Sequence, residues 1–150
     1  MTAAPVPLRP QKDDLLPVRT LNALQMVRAL YEALGRDTQT LLLETLEPAV
    51  TWELYAPPTV PFAGARSGRG GVRDFFRTLH VSTEGLQLTM EELMAMGDSV
   101  VATGRISGRV RSTGRSFDSP TTQIWNLHEG RITRWRCFLD SAAVAAAFGG

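Results

Sequence analysis

The run from Trp125 to Asp140, WNLHEGRITRWRCFLD, leaves a chain few ways to fold. Two apolar-rich stretches flank His128-Glu129-Gly130-Arg131, a combination that turns one strand back on its neighbour. The second stretch passes directly into an alanine-rich segment, Ser141 to Phe148. The chain therefore closes as strand, tight turn, strand and short helix. The same punctuation recurs upstream. Turns at Gly97-Asp98 and Ser112-Thr113-Gly114 separate strands expected over about 86–96, 99–111 and 116–127, followed by 131–139. Turns this short demand antiparallel neighbours. Pro120 lacks an amide hydrogen, so its strand must be an edge or carry a bulge there.

The first half reads differently. Residues 1–18 hold Pro5, Pro7, Pro10 and Pro17 and show no apolar period, which predicts a flexible tail dispensable for folding. The folded domain is then expected over 19–150. Leu24, Val27, Leu30, Tyr31 and Leu34 follow the spacing of a half-buried helix, with Thr20 or Asn22 as its cap and Gly35 at its end. Asp37 or Thr38 should cap a second helix carrying Leu41, Leu42 and Leu46, stopped by Pro48. Residues 49–55 alternate as a strand, with Val50, Trp52 and Leu54 on one face. A long loop is expected over 56–71. A third helix follows over about 72–79, carrying Val72, Phe75, Phe76 and Leu79. Helices first and a meander afterwards make an α+β pattern, a curved sheet with helices on one face.

Composition narrows the function. A chain of 150 residues, 43% hydrophobic, can bury a core without metals or disulfides. The single cysteine, Cys137, rules out an intrachain disulfide. With no leader-like N-terminus and no membrane-length apolar run, the expected location is cytoplasmic, away from membranes. The net charge of +1 gives little steering of polyanions. Arg105, Arg109, Arg111, Arg115, Arg131, Arg134 and Arg136 lack the interleaved aromatics of a single-strand-binding surface, so no nucleic-acid partner is expected. Two histidines and one cysteine show no ligand spacing, so neither metal nor cofactor is expected. Gly68-Arg69-Gly70-Gly71 ahead of the third helix reads as a hinge or as an anion-binding turn.

Six segments carry a family resemblance: ALYEAL followed by Gly35-Arg36-Asp37, then VTWELYAPP, GRGGVRDFFRTL, GDSVVATGRISGRV, TGRSFDSP and HEGRITRWRCFLD. In this order, over about 22–148, they resemble the nuclear transport factor 2-like fold and its SnoaL-like group. That group includes polyketide cyclases, limonene epoxide hydrolase and ketosteroid isomerase. The resemblance implies a cone-shaped, antiparallel or mixed sheet with about three N-terminal helices on its concave face and a short C-terminal helix. It also implies an apolar small-molecule pocket in the cone and a homodimer. Strands 100–110 and 124–136 point to the same homodimer, because they carry side chains on both faces and one helical layer covers only one.

The resemblance also says where catalytic groups would stand. The base carboxylate of ketosteroid isomerase falls on Leu54, its oxyanion tyrosine near Leu30, and its protonated aspartate on Gln123. The arginine of limonene epoxide hydrolase falls on Arg105, its two aspartates on Ser107 and Cys137, and its water-holding pair on Trp52 and Leu54. Neither proton-shuttling carboxylate set is present, so neither reaction is expected. The polar candidates are Arg105 and Gln123 as oxygen-holding groups and His80 as a base titrating near neutrality. Trp52, Leu54, Ser107, Trp135 and Cys137 are the expected substrate-binding wall. Strand alternation turns Arg105 to solvent, whereas the resemblance turns it inward, and a bulge would reconcile the two. Two functions stand open. One is a cofactor-independent cyclase, isomerase or hydrolase acting on a polyketide- or terpenoid-like substrate. The other is a non-catalytic ligand-binding or dimeric interaction module.

Overall fold

The computed structural model describes residues 2–3, 18–33 and 38–150. Its elements run β1 (Thr2–Ala3), α1 (Val18–Glu32), α2 (Thr38–Thr45), β2 (Leu46–Leu54), β3 (Gly64–Ser67), α3 (Gly68–Ser82), β4 (Thr83–Met96), β5 (Ser99–Val110), β6 (Ser116–His128), β7 (Arg131–Leu139) and α4 (Ser141–Ala147). The architecture is α+β, as the sequence predicts. The strands form one curved sheet in the order β1-β4-β5-β6-β7-β2-β3. The β4 to β7 meander is antiparallel throughout. The sheet is mixed because β2 lies parallel to β7 and the two-residue β1 lies parallel to β4. No described helix is long and apolar enough to cross a membrane.

The alternation of each strand decides which side becomes the core. On β5, Val100, Ala102, Ile106 and Val110 are buried; on β6, Phe117, Thr121, Gln123, Trp125 and Leu127. β2 contributes Val50, Trp52 and Leu54, and β7 contributes Ile132, Trp135 and Cys137. Helix α1 lays Ala23, Leu24, Val27, Leu30 and Tyr31 onto this face, and α3 adds Val72, Phe75 and Leu79. Burying each such aliphatic or aromatic side chain stabilises the fold by roughly 1.5–3 kcal/mol before the entropic cost of ordering. Gly104 has a packing reason: a Cβ there would collide with the backbone of Thr89 and Met90 on β4.

Several expected boundaries shift. Helix α3 begins at Gly68, so the glycine-rich run is its first turn rather than a loop ahead of it, and Arg69 donates to the Leu46 carbonyl at 3.0 Å. The expected loop over 56–71 also contains β3, whose sequence, Gly-Ala-Arg-Ser, has no apolar alternation; it forms by pairing with the edge of β2. Pro48 lies inside β2 rather than ahead of it, in the stretch where the register against β7 shifts between Leu46 and Thr51. Pro120 lies in β6, between two strands, but one residue beyond the last β6–β7 pair, Thr121 with Leu139. β6 is therefore a local edge at Pro120 on that flank, which is how an inner strand tolerates it. Helix α1 starts at Val18, ahead of both expected caps. Leu34, Gly35 and Asp37 lie outside the described residues, as does most of the expected N-terminal tail. Thr2 and Ala3 of that tail add a short strand beside Gln87 and Leu88.

Candidate functional site

Between the inner face of the sheet and helices α1, α2 and α3 lies a cavity of about 60 Å³. Its wall is almost entirely apolar: Leu30, Leu42, Leu54, Phe62, Phe75, Leu79, Leu88 and Ile106 surround three tryptophans. Trp52 and Trp135 occupy matching positions on parallel β2 and β7, so both rings project inward at the same level. They stack with centroids 4.2 Å apart and planes 21° from parallel. Trp125 on β6 meets Trp52 edge-on at 5.9 Å. Of the wall residues, Phe76 alone is not buried.

The polar end of the cavity is a single ordered chain of hydrogen bonds. Trp125 Nε1 can only donate, and it donates to Tyr31 Oη at 2.8 Å. The Tyr31 hydroxyl, carried by α1, donates in turn to Gln123 Oε1. That fixes the Gln123 amide with its oxygen towards Tyr31, and its register partner on β7 is Cys137. Thr121 Oγ1 spends its proton on the Phe138 carbonyl at 2.9 Å. Thr121 Oγ1 and Cys137 Sγ also lie 3.4 Å apart.

Two members of this chain titrate, and both are held protonated. Burial pushes the Cys137 thiol up to about 12 from an ordinary 9.0, against partial opposition from its hydrogen bonds with Thr121 and Gln123. Burial likewise raises Tyr31 well above its usual 10.0, opposed by the Trp125 hydrogen bond and reinforced by Cys137. No carboxylate and no histidine lines the cavity among the described residues. The wall is electrically neutral across the physiological range.

The structure brings Gln123, Trp52, Leu54, Trp135 and Cys137 together in this wall. It places the other three elsewhere. Arg105 lies on the opposite face of β5, exposed, with Nε 3.1 Å from Asp118 Oδ1. Ser107 shares that outer face, in a shallow surface groove with Asp118 and Arg109. The reason is register. β5 pairs with β6 without a shift from Ser99 to Arg109, so no bulge turns Arg105 inward, and its neighbour Ile106 takes the wall position. The bulges of this region lie instead on the β4 side, between Glu84 and Gln87 and between Met90 and Glu92. His80 is exposed on α3, one residue past Leu79, which is the helix position that meets the cavity. A single residue step rotates a helical side chain by about 100°.

Sequence reasoning missed Tyr31. It counts as an apolar position of α1, which is correct for its ring, but the hydroxyl has the polar role sought at Leu30. The available signal was its spacing from Leu24 and Val27 on the buried face, together with the rule that a buried tyrosine hydroxyl finds a partner.

Comparison with known proteins places this architecture. A family model described as a SnoaL-like domain matches residues 27–135. Among solved structures, an NTF2-like protein from Burkholderia thailandensis E264 is 31% identical, with a TM-score of 0.77 over 83% of this chain and 95% of that one. A provisionally named isomerase from Rhodopseudomonas palustris is 28% identical, with a TM-score of 0.68 over 86% of this chain and 97% of that one. A provisionally named SnoaL-like polyketide cyclase from Jannaschia sp. CCS1 shares the fold at 19% identity, with a TM-score of 0.77 over 90% of this chain and 96% of that one. Among curated proteins, none matches the sequence.

Proposed function

The chain belongs to the SnoaL-like family, and from its cavity we propose that it binds one flat, largely apolar small molecule, polyketide- or terpenoid-like, and performs no acid–base chemistry on it. The observation that carries this reading is the neutrality of the wall. Its two titratable groups, Tyr31 and Cys137, are both kept protonated by burial. Proton-transfer catalysis needs a group that changes state near the working pH and contributes roughly 10²- to 10⁴-fold in rate. A neutral hydrogen-bonding end in an apolar, aromatic wall is instead what orients a ligand.

The fit of ligand to wall involves movement. The cavity of about 60 Å³ is far below the roughly 300–1,000 Å³ of pockets that take drug-sized ligands. A larger guest enters by displacing Phe76, the one wall ring that is not already buried. Its neighbours Trp52 and Phe75 meet it at centroid distances of 6.0 and 5.3 Å, so an aromatic guest replaces ring contacts with ring contacts.

The reading is tested by two measurements on the intact chain. Saturable binding of small bicyclic aromatics, one per chain, is expected by calorimetry. Turnover of a small epoxide and of an unconjugated ketosteroid is expected at the rate without protein. Robust turnover of either compound overturns the reading, as does the lack of any saturable binding.

A further inference from the structure

Arg66 leaves β3 on the same side of the sheet as Trp52, its partner across the β2–β3 pairing. Its guanidinium turns to the loop that joins those two strands. Nη1 donates to the carbonyls of Phe62 at 3.2 Å and Ala63 at 3.4 Å, and Nη2 donates to that of Pro61 at 3.4 Å. Nε stands 3.6 Å from Asp74 Oδ2 on α3, and the guanidinium carbon lies 5.6 Å from the centre of the Phe75 ring. Gly71 makes room for this approach: a Cβ there would meet Arg66 Cβ at 3.1 Å. The arginine side chain is only 16% exposed. One planar cation therefore holds three successive loop carbonyls and a helix carboxylate. The fixed fork of five N–H donors on arginine permits that, and the three donors of a lysine ammonium do not.

The middle residue of the three, Phe62, is a ring of the cavity wall and is 2% exposed. It meets Phe75 at 6.4 Å and Phe148 at 5.6 Å, edge-on to both. Among the described wall residues, Phe62 alone is carried by a loop; every other one stands on a helix or a strand. A loop is ordinarily the mobile part of such a wall. Here the backbone on both sides of the ring is tied to Arg66, and through Arg66 to α3. We propose that Arg66 is a positioning residue of the binding site: it locks Phe62, so that the cavity has a fixed end at the loop and widens for a guest only at Phe76. The inference rests on the binding reading above and deepens it, because a locked ring limits the length of flat ligand that the site accepts. A wall ring that cannot swing aside turns an over-long guest into a steric clash, and specificity comes from that penalty as much as from contacts with the right guest.

The experiment uses two flat ketones that carry the same carbonyl and differ in length: indan-1-one, with two fused rings, and fluoren-9-one, with three. Affinities are measured on the intact chain by titration of tryptophan fluorescence. The wild type should bind indan-1-one about tenfold more tightly than fluoren-9-one, the scale on which an apolar pocket rejects a small misfit. Arg66→Met keeps a straight apolar stem and removes every donor, and Phe62→Ala removes the ring. Each should raise the affinity for fluoren-9-one relative to indan-1-one by about threefold to tenfold. The double variant should shift that ratio no further than Phe62→Ala alone, because both changes act through one ring; independent effects would add. Arg77→Ala is the control. Arg77 also bonds Asp74, at 2.8 Å, and makes no bond to the loop among the described residues, so its loss should leave the ratio as in the wild type. Should Arg66→Met fail to fold, Arg66→Lys keeps the charge beside Asp74, loses the fork and should shift the ratio in the same direction. An unchanged ratio in the Arg66 variants, a wild type without preference for the shorter ketone, additive shifts in the double variant, or an equal shift in Arg77→Ala overturns the locking role and leaves the binding reading intact. Failure of both ketones to bind the wild type overturns the binding reading and this inference with it.

Discussion

Trp52 and Trp135 stand opposite one another in the parallel pairing of β2 and β7, and their rings stack 4.2 Å apart. This contact joins the N-terminal half of the chain to its last strand. It also forms the floor against which Phe75, Phe76 and Trp125 pack edge-on or tilted. Trp135→Ala should destabilise the domain by about 3–5 kcal/mol, the range for truncating a buried aromatic, read from denaturant unfolding. A loss under about 1 kcal/mol would mean that the cluster repacks freely and that the cavity wall is not fixed by it.

The neutral groups of the wall predict a pH dependence. Cys137 is raised from 9.0 to about 12 in the folded chain, so the unfolded chain loses that proton first as pH rises. Its contribution is fully present below about pH 9 and is lost progressively as pH climbs towards 12, at up to about 1.4 kcal/mol per pH unit. Tyr31, also raised, acts with the same sign above its ordinary 10.0. Cys137→Ala should flatten the fall in stability between about pH 9 and 10.5, and the native thiol should resist alkylation at pH 8 until the protein is unfolded. Rapid alkylation of the native chain would contradict a buried, protonated thiol.

Phe76 is expected to control entry. Phe76→Ala should raise the association rate for indan-1-one by more than it changes the dissociation rate, measured by stopped-flow tryptophan fluorescence. Its stability cost should be smaller than that of Phe75→Ala, because Phe75 is fully packed and Phe76 is only half-buried. An unchanged association rate would place the mouth elsewhere.

A homodimer is expected through the outer face of the sheet. Tyr55 and Phe138 stack at 4.6 Å while remaining 37% and 39% exposed, and Met96 at the end of β4 is 81% exposed. No helix of the described residues buries these side chains. We expect a dimer in solution, dissociated by Phe138→Glu. Light scattering that gives a monomer at high micromolar concentration would refute it.

The fold was legible in the sequence because its signals are local. Strand alternation, turn residues and the spacing of Leu24, Val27, Leu30 and Tyr31 need no knowledge of partners. β3 was not legible, because Gly64–Ser67 becomes a strand only by pairing with β2. The site was half legible. Trp52 and Leu54 follow from alternation on their strand and Trp135 from its large apolar ring, whereas Gln123 and Cys137 come from the family resemblance. Arg105 and Ser107 were carried inward only by a bulge that the in-register β5–β6 ladder does not contain. The role of Tyr31 depends on a contact between α1 and β6, ninety-two residues apart in sequence, and no local pattern records such a meeting.

We propose the cavity as a neutral binding site rather than a proton-transfer site. The most direct measurement is the affinity for indan-1-one as a function of pH, from about 5 to about 8.5. With Tyr31 and Cys137 both protonated throughout that range and no histidine or carboxylate in the described wall, the profile should be flat. A tenfold change with an inflection inside the range would show a titrating group at the ligand and contradict it.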